Sequence, residues 1–356
     1  MQIFDPIHNF IPFNAIEEQL LAHPFMVRLV HIYQCGPAFH VYPGVTHTRF
    51  SHSIGVMHVA TLLFDQLAVK EAEKEHWAYY RQAVRLGALL HDVGHYPLSH
   101  TVELFLPKHE VMVNKTFALG VWDPLFSEVA KIYKKECGEV SRLVRSIALG
   151  EPTEPYFLSQ LIADPHFGAD RIDYLLRDSL YSGLSYGKID LHQLVRSVRL
   201  DQENRLGISA SGLPSVEALL LARHWMHERL YQHRRVRSYA FHYAKVVKQI
   251  LMQRGALEDL QTFMKINDHH IFASLKDFPD EEKAIQDPQF RVQAYKCSID
   301  KLAEVKKNYE NTKNVWIDVP TQTSMTFLEG QKVRLEGEEI FWIYTDQKEL
   351  FESIQS

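Results

Sequence analysis

A mainly α-helical fold, with a few short β-hairpins and a small α+β appendage at the C-terminal end, is what this sequence predicts. Three observations carry the expectation. Apolar residues recur at helical spacing over long stretches, as at Ile16, Leu20, Leu21, Phe25 and Leu29. Strand-like stretches are short and sit near the N-terminus, near residue 200 and beyond about residue 315. With 356 residues, 46% of them hydrophobic, the chain can bury one large core or two ordinary ones. The pattern changes near residue 255, so residues 1–254 are expected to form the helical core and 255–356 the smaller α+β region.

The elements follow in order. Residues 1–12 read as an extended segment turning at Asp5-Pro6, and Asn14 to His31 as a helix that Pro24 kinks or splits. Cys35-Gly36-Pro37 ends it, and Phe39 to Tyr42 is a short extended run closed by Pro43-Gly44. A helix then buries Val56, Val59, Ala60, Leu63 and Leu67, with His52 near its N-terminus. The polar 70–80 stretch ends it, and Arg81 to His91 is the next helix. A short helix carries Glu103, Leu104 and Phe105 up to Pro107, and Lys108-His109-Glu110 opens another. Residues 125–149 are helical in pattern, Phe157 to Asp164 is a short helix, and Ala169 to Ser179 is helical and dense in charge. Val198-Arg199-Leu200 and Arg205 to Ile208 form a hairpin around Asp201 to Asn204. Pro214 starts the longest helical region, running to about Arg254. A charged helical segment extends to about Asn308, Val315 to Val319 is a strand, and Lys332 to Leu335 pairs with Glu339 to Tyr344 around Glu336-Gly337.

Composition excludes several classes. A net charge of -5 gives no global field toward nucleic acid or anionic membranes. Three widely spaced cysteines form neither a disulfide framework nor a Cys-based zinc site, which suits a reducing compartment. No apolar run approaches a membrane span, and the N-terminus lacks the marks of a signal peptide. A cytoplasmic protein is therefore expected. Histidine is the unusual residue: there are 20, many of them between His8 and His109.

The chemistry centres on His91-Asp92-Val93-Gly94-His95-Tyr96-Pro97-Leu98-Ser99-His100. An apolar helix delivers a His-Asp pair into the core, where its desolvation needs compensation. A divalent metal supplies it, since imidazole and carboxylate are both ligands. Taken alone, the pair equally fits satisfied core polar groups.

Three further stretches change the balance. They are His47-Thr48-Arg49-Phe50-Ser51-His52-Ser53-Ile54-Gly55, Asp170-Arg171-Ile172-Asp173-Tyr174-Leu175-Leu176-Arg177-Asp178, and His227 followed by Tyr231-Gln232-His233. With the His91–His100 element, and in this order, they resemble the HD-domain metal-dependent phosphohydrolases, specifically their deoxynucleoside triphosphate triphosphohydrolases. The likeness covers roughly residues 1–245 and implies an HD-domain helical core. Similar enzymes include the vertebrate one with a SAM domain before its HD domain; a chain without that domain is expected here.

The resemblance implies that His52, His91, Asp92 and Asp170 hold one divalent metal ion (Fe, Mn, Ni, Zn or Mg), with a second Mg on the phosphates. It implies that His95 and His100 lie over the phosphates, His100 as general acid, and that Glu103 pairs with His109. Glu103 stands where the family commonly has Asp. Arg49, Arg171 and Arg234 are implied phosphate clamps, with Arg223 and His227 on the same face. Gln34, Tyr174 and Asp178 would read the sugar, and Tyr231 would stack beneath it. Asp173 and Arg177, four apart on a helix, read as an ion pair. Val30 replaces an Arg found in activator-regulated relatives, and Cys35 a bulkier apolar residue near the sugar edge.

The expected function is a metal-dependent phosphohydrolase that releases triphosphate from a dNTP, acting as a homo-oligomer. A phosphodiesterase or nuclease using the same metal is the alternative, acting on cyclic nucleotides or single-stranded nucleic acid. A non-catalytic nucleotide-binding scaffold is a third reading; it would have no need to keep buried metal ligands.

Overall fold

A computed structural model describes residues 1–68 and 74–286, positions 303 and 307, and five strands beyond residue 287. The chain is mainly helical, as the periodicity predicts. Its first strands, β1 (Gln2–Asp5) and β2 (Asn9–Pro12), pair antiparallel with Gln2 opposite Pro12. Helix α1 (Ala15–Leu21) starts at an Asn14–Glu17 capping box. Pro24 splits the predicted helix rather than kinking it. It occupies the first turn of α2 (Pro24–Leu29), where its missing N–H costs nothing.

Helix α3 (Arg49–Ala68) is apolar on nearly every face and is therefore central. Ile54, Val56, Met57, Val59, Ala60, Leu63 and Phe64 are all buried. It packs against α4 (Lys74–Leu90) and α9 (Ala169–Ser182). Residues 69–73, within the predicted 70–80 break, lie outside the described residues. Helix α4 begins earlier than predicted because Trp77 packs edge-on to Phe64, with ring centroids 5.0 Å apart, and Tyr79 is buried. Between them run α5 (His109–Ala118), α6 (Asp123–Tyr133), α7 (Cys137–Ala148) and α8 (Phe157–Ala163).

Three sequence expectations are corrected by tertiary packing. The predicted 125–149 helix is two, because Lys134 takes a left-handed conformation (φ 53°). That break folds the apolar face of α7 back onto α6. The predicted extended run at Phe39–Tyr42 is instead a 3-10 turn, Gly36–His40. His40 there stacks on Tyr239, and its Nε2 lies 3.0 Å from the Tyr243 hydroxyl. The long region from Pro214 becomes α11 (Leu213–Met226), a π-helical turn at His227–Tyr231, and α12 (Arg234–Gln253). Before these, α10 (Leu191–Ser197) leads into the predicted hairpin, β3 (Val198–Leu200) with β4 (Leu206–Ile208).

Beyond residue 255 the described part of the predicted helical segment to Asn308 includes three short helices, α13 (Leu260–Met264), α14 (Asp268–Ser274) and α15 (Pro279–Gln286). They give way to β5 (Gln293–Ser298). Phe263, Ile266 and Ile271 are fully buried in the same core as α3. The remaining strands are β6 (Val315–Asp318), β7 (Met325–Thr326), β8 (Lys332–Val333) and β9 (Ile340–Thr345). The expected 332–344 hairpin is not formed: β8 pairs with β7, and β9 lies between β5 and β6. Its expected turn, Glu336-Gly337, lies outside the described residues.

The α3–α9 contact is close at Gly55. A Cβ there would come within 2.0 Å of Asp173 Oδ1 and 2.4 Å of Arg177 Nη2. Gly55→Ala is therefore expected to push the two helices apart and lower stability by about 1–3 kcal/mol. Urea unfolding with and without divalent metal checks this, and the loss should be larger in metal because the same helices carry His52 and Asp170.

Candidate functional site

Helix α4 ends at Leu90, so His91 and Asp92 follow at the start of a buried loop. His91 Nδ1 donates to the Ala88 carbonyl at 2.7 Å, which fixes the tautomer. Its Nε2 is buried without a hydrogen-bond partner. That atom lies 3.4 Å from Asp92 Oδ1 and 3.8 Å from Asp170 Oδ1. His52 Nε2 is 3.0 Å from Asp170 Oδ1 and 3.8 Å from Asp92 Oδ2, while its Nδ1 donates to Asp173 at 2.8 Å. All four predicted ligands thus converge from α3, the α4 end and α9.

These residues fit a divalent cation. The ligand atoms of His52, His91 and Asp170 lie within 4.8 Å of one another. The far nitrogen of each imidazole is tied to a carbonyl or carboxylate, as metal-bound histidines require. Electrostatics agree. Burial opposes ionisation of Asp92, but Arg49, His91 and His95 hold it well below the usual carboxylate range. Burial likewise opposes the charge on His52, yet Asp170 and Asp173 raise it to about 9. In the absence of a cation, a protonated imidazole provides the positive charge these carboxylates demand.

Asp173 is a site residue that sequence reasoning missed. Its predicted pair with Arg177 exists, with both contacts at 2.9 Å. The same carboxylate also orients His52 and accepts from His8 Nε2 at 2.7 Å. Its place three residues after Asp170, on one helical face, was the available signal.

A second cluster overlooks the first. Glu103 Oε2 takes His100 Nδ1 at 2.8 Å, and Oε1 takes His109 Nδ1 at 2.7 Å. The predicted Glu103–His109 pair therefore forms, and the longer Glu arm reaches a different imidazole with each oxygen. Gly94 permits the close approach, since a Cβ there would come within 2.5 Å of the His109 carbonyl. His95 stacks on His109 with ring centroids 3.6 Å apart, and its Nε2 lies 3.1 Å from Asp92 Oδ1. Burial, then Arg49 and His109, push the His95 imidazole well down, so it is neutral. His100 keeps an exposed side chain whose Nδ1 is held by Glu103.

A third group surrounds Asp178. His47 Nε2 and the Tyr231 hydroxyl each reach it at 2.6 Å. Cys35 lies beside it, its thiol pushed up by burial and then by Asp178. Gln34 is buried with Oε1 unpartnered. His47 opens the His47–Gly55 stretch, yet the sequence gives it no role of its own in a chain with 20 histidines.

These groups face one cavity of about 550 Å³, within the ~300–1,000 Å³ range of small-molecule sites. Gln34, Arg49, His91, Asp92, His95, His100, His109, Asp170, Arg171, Tyr174, Asp178, Arg223, His227 and Tyr231 all line it. On one wall, Arg171 Nε and Nη1, Arg223 Nε and His227 Nδ1 are buried without partners. Burial, then Arg223 and Arg171, lower His227 to about 3. Arg234 is exposed at the start of α12 and does not line the cavity; Arg237, one turn on, does. Arg49 lines it but directs its donors to Ser99, Asp92 and the Gln34 carbonyl at 2.9, 2.7 and 3.2 Å. It buttresses a metal ligand.

Comparison with known proteins places the chain in context. An HD domain matches residues 49–164, and an HD associated region matches residues 189–299. An uncharacterised protein of Methanocaldococcus jannaschii is 32% identical over 263 residues, 73% of this chain and 50% of that one. The deoxynucleoside triphosphate triphosphohydrolase SAMHD1 of Danio rerio is 26% identical over 383 residues, 94% of this chain and 61% of that protein. The chain thus spans about half to two thirds of these relatives' lengths. Among solved structures, a hypothetical protein from Aquifex aeolicus superposes with a TM-score of 0.78 at 28% identity, covering 99% of this chain and 98% of that one. Among the described residues no helix is long and apolar enough to cross a membrane.

Proposed function

We propose, from the premise that this chain is an HD-domain protein related to the dNTP triphosphohydrolases, that it is a metal-dependent phosphohydrolase acting on deoxynucleoside triphosphates. It would split them into deoxynucleoside and triphosphate, with water attacking the α-phosphorus. One observation carries the reading. The buried, unpartnered nitrogens of Arg171, Arg223 and His227 form a wall of the same cavity that His91, Asp92 and Asp170 line, with His52 buried behind them. Unsatisfied buried donors are rare and call for an anion.

His52, His91, Asp92 and Asp170 would hold the metal. When bound, it lowers the pKa of water and polarises the phosphoryl group. The other roles belong to the chain itself. Arg171, Arg223 and His227 receive phosphate oxygens, a second Mg sharing that charge. Polyphosphate raises the His100 imidazole on binding and so equips it to protonate the leaving 5′-oxygen. Glu103 holds His100 and His109 in register. Gln34 Oε1 and Asp178 offer acceptors to a sugar hydroxyl, with Tyr174 and Tyr231 enclosing the ring. Arg49 acts through Asp92, and Arg234 would reach substrate only from outside the cavity. A homo-oligomer is part of the same proposal and follows from the family resemblance alone.

The test is metal content followed by incubation with dNTPs, NTPs, cyclic nucleotides and single-stranded DNA. Nucleoside plus triphosphate from dNTPs supports the reading. Monophosphates from diesters would instead favour a phosphodiesterase or nuclease, and no turnover with any supplied metal leaves the scaffold. Within the proposal, His100→Ala is expected to lower kcat by about a hundredfold or more with metal content unchanged. Steady-state kinetics beside elemental analysis checks both.

A further inference from the structure

Asp268, on α14, belongs to none of the sequence motifs and lies in the region expected to be an appendage. Its side chain is nevertheless buried and reaches both loops that frame the cavity. Asp268 Oδ2 accepts the Tyr33 N–H at 2.8 Å, and Oδ1 accepts the Leu98 N–H at 2.7 Å. Its own N–H returns to the His31 carbonyl at 3.2 Å. Arg28 runs parallel to this brace, donating to the Ile266 carbonyl just after α13 and to the His95 carbonyl, both at 2.8 Å.

The loop held in this way is strained. Leu98 and Ser99 both have φ of 57°, a left-handed conformation that two consecutive non-glycine residues rarely adopt. Such a residue persists only where its surroundings over-determine it. The Asp268 carboxylate supplies that constraint at the first of the two. The consequence reaches the site directly. Ser99 Oγ donates to the Tyr33 carbonyl at 2.5 Å and receives Arg49 Nε, and Arg49 pairs with the ligand Asp92. His100 follows in the chain, and Gln34 follows Tyr33.

We propose that Asp268 is a positioning residue: it locks the Tyr33–Gln34 and Leu98–Ser99 segments together, so that Gln34 and His100 face one substrate while Arg49 holds the ligand Asp92. The catalytic part of this rests on the phosphohydrolase reading above; the mechanical part does not. A carboxylate suits the task because its two oxygens accept two N–H groups at once. An amide cannot, since its nitrogen would face one of the donors. Burial pushes the Asp268 carboxyl up to about 7, against the pull of the Tyr33 and Leu98 N–H groups, Arg28 and Arg49. A residue serving packing alone would have no need of a group so costly to bury.

The test is Asp268→Asn in the full chain loaded with Mn, compared with wild type by mass-spectrometric hydrogen exchange, elemental analysis and kinetics. Protection should fall at least tenfold in peptides covering 31–36 and 95–101 and stay unchanged in α3, α4 and α9. Metal content should match wild type, while kcat/KM on the best nucleotide falls by about tenfold to a hundredfold. Unchanged exchange in the two loops overturns the proposal. So does an activity loss accompanied by lost metal or by deprotection throughout, which marks Asp268 as merely structural. Because exchange and metal content need no substrate, a wild-type protein that hydrolyses none of the nucleotides removes the phosphohydrolase reading and leaves the brace decided by the other two readouts.

Discussion

Replacing His91 and Asp92 together by alanine is expected to strip the protein of bound metal and lower turnover by about a thousandfold or more, with helical content preserved. The helices survive because both residues lie beyond the end of α4, and the apolar contacts of Val84, Leu86, Leu89 and Leu90 are untouched. Turnover does not survive, because the variant loses one imidazole and the carboxylate that Arg49 holds in place. Elemental analysis, circular dichroism and nucleotide hydrolysis on one preparation check the three parts. Full activity in this variant would falsify the metal assignment. The metal-free wild type carries a related signature. His52 is raised to about 9 there by Asp170 and Asp173, against the opposing effect of burial. The stability it contributes is fully present below its ordinary value near 6.5 and is lost as pH rises through about 9. Metal binding at neutral pH should therefore release a proton, and the alkaline loss of stability should vanish in the loaded protein.

Arg177→Met is expected to cost about 3–5 kcal/mol of stability. Arg177 is fully buried between Asp173, gripped at 2.9 Å by two nitrogens, and Asp5 at 2.8 Å. Methionine fills much of the volume but leaves two buried carboxylates without their cation. Asp173 also orients His52, so metal affinity should fall with stability. In the wild type, burial works against the Asp173 charge, but Arg177, His52 and His8 hold its carboxyl well below the usual range. The stability from that pairing is complete above the ordinary value near 4 and is lost only as pH falls through the depressed one. In the variant Asp173 keeps His52 and His8 but loses the guanidinium, so its buried carboxylate is under-compensated and gains by protonation. Lowering pH from 7 to 5 should recover part of the loss. Urea titrations of both proteins at the two pH values measure it.

Much of the site is legible in the amino-acid order. His52, His91, Asp92 and Asp170 carry ligand chemistry in a recognisable succession, and all four converge. Their neighbours are less legible. Asp173 reads as half of an ion pair because i,i+4 spacing is a local signal, whereas its bond to His52 spans 121 residues. The partners of His8, His47 and Asp268 carry no signal, since they lie 165, 131 and 170 residues away. Arg49 reads as a phosphate clamp and is turned instead toward Asp92, Ser99 and Gln34 by the packing around it.

The helical class, the central apolar helix, the metal-ligand residue types and the family resemblance all follow from the residues and their order. Each depends on composition or on spacing within a few turns, where side-chain periodicity is enforced by local backbone geometry. Packing sets the rest. It fixes where long helices break, as at Lys134 and at the His227–Tyr231 turn, and how short segments near Phe39 and beyond residue 255 are shaped. It also fixes which polar groups complete one another. Those outcomes turn on contacts beyond the reach of one helix, several of them between residues more than a hundred positions apart, whose energies outweigh local propensity and leave no periodic trace in the chain.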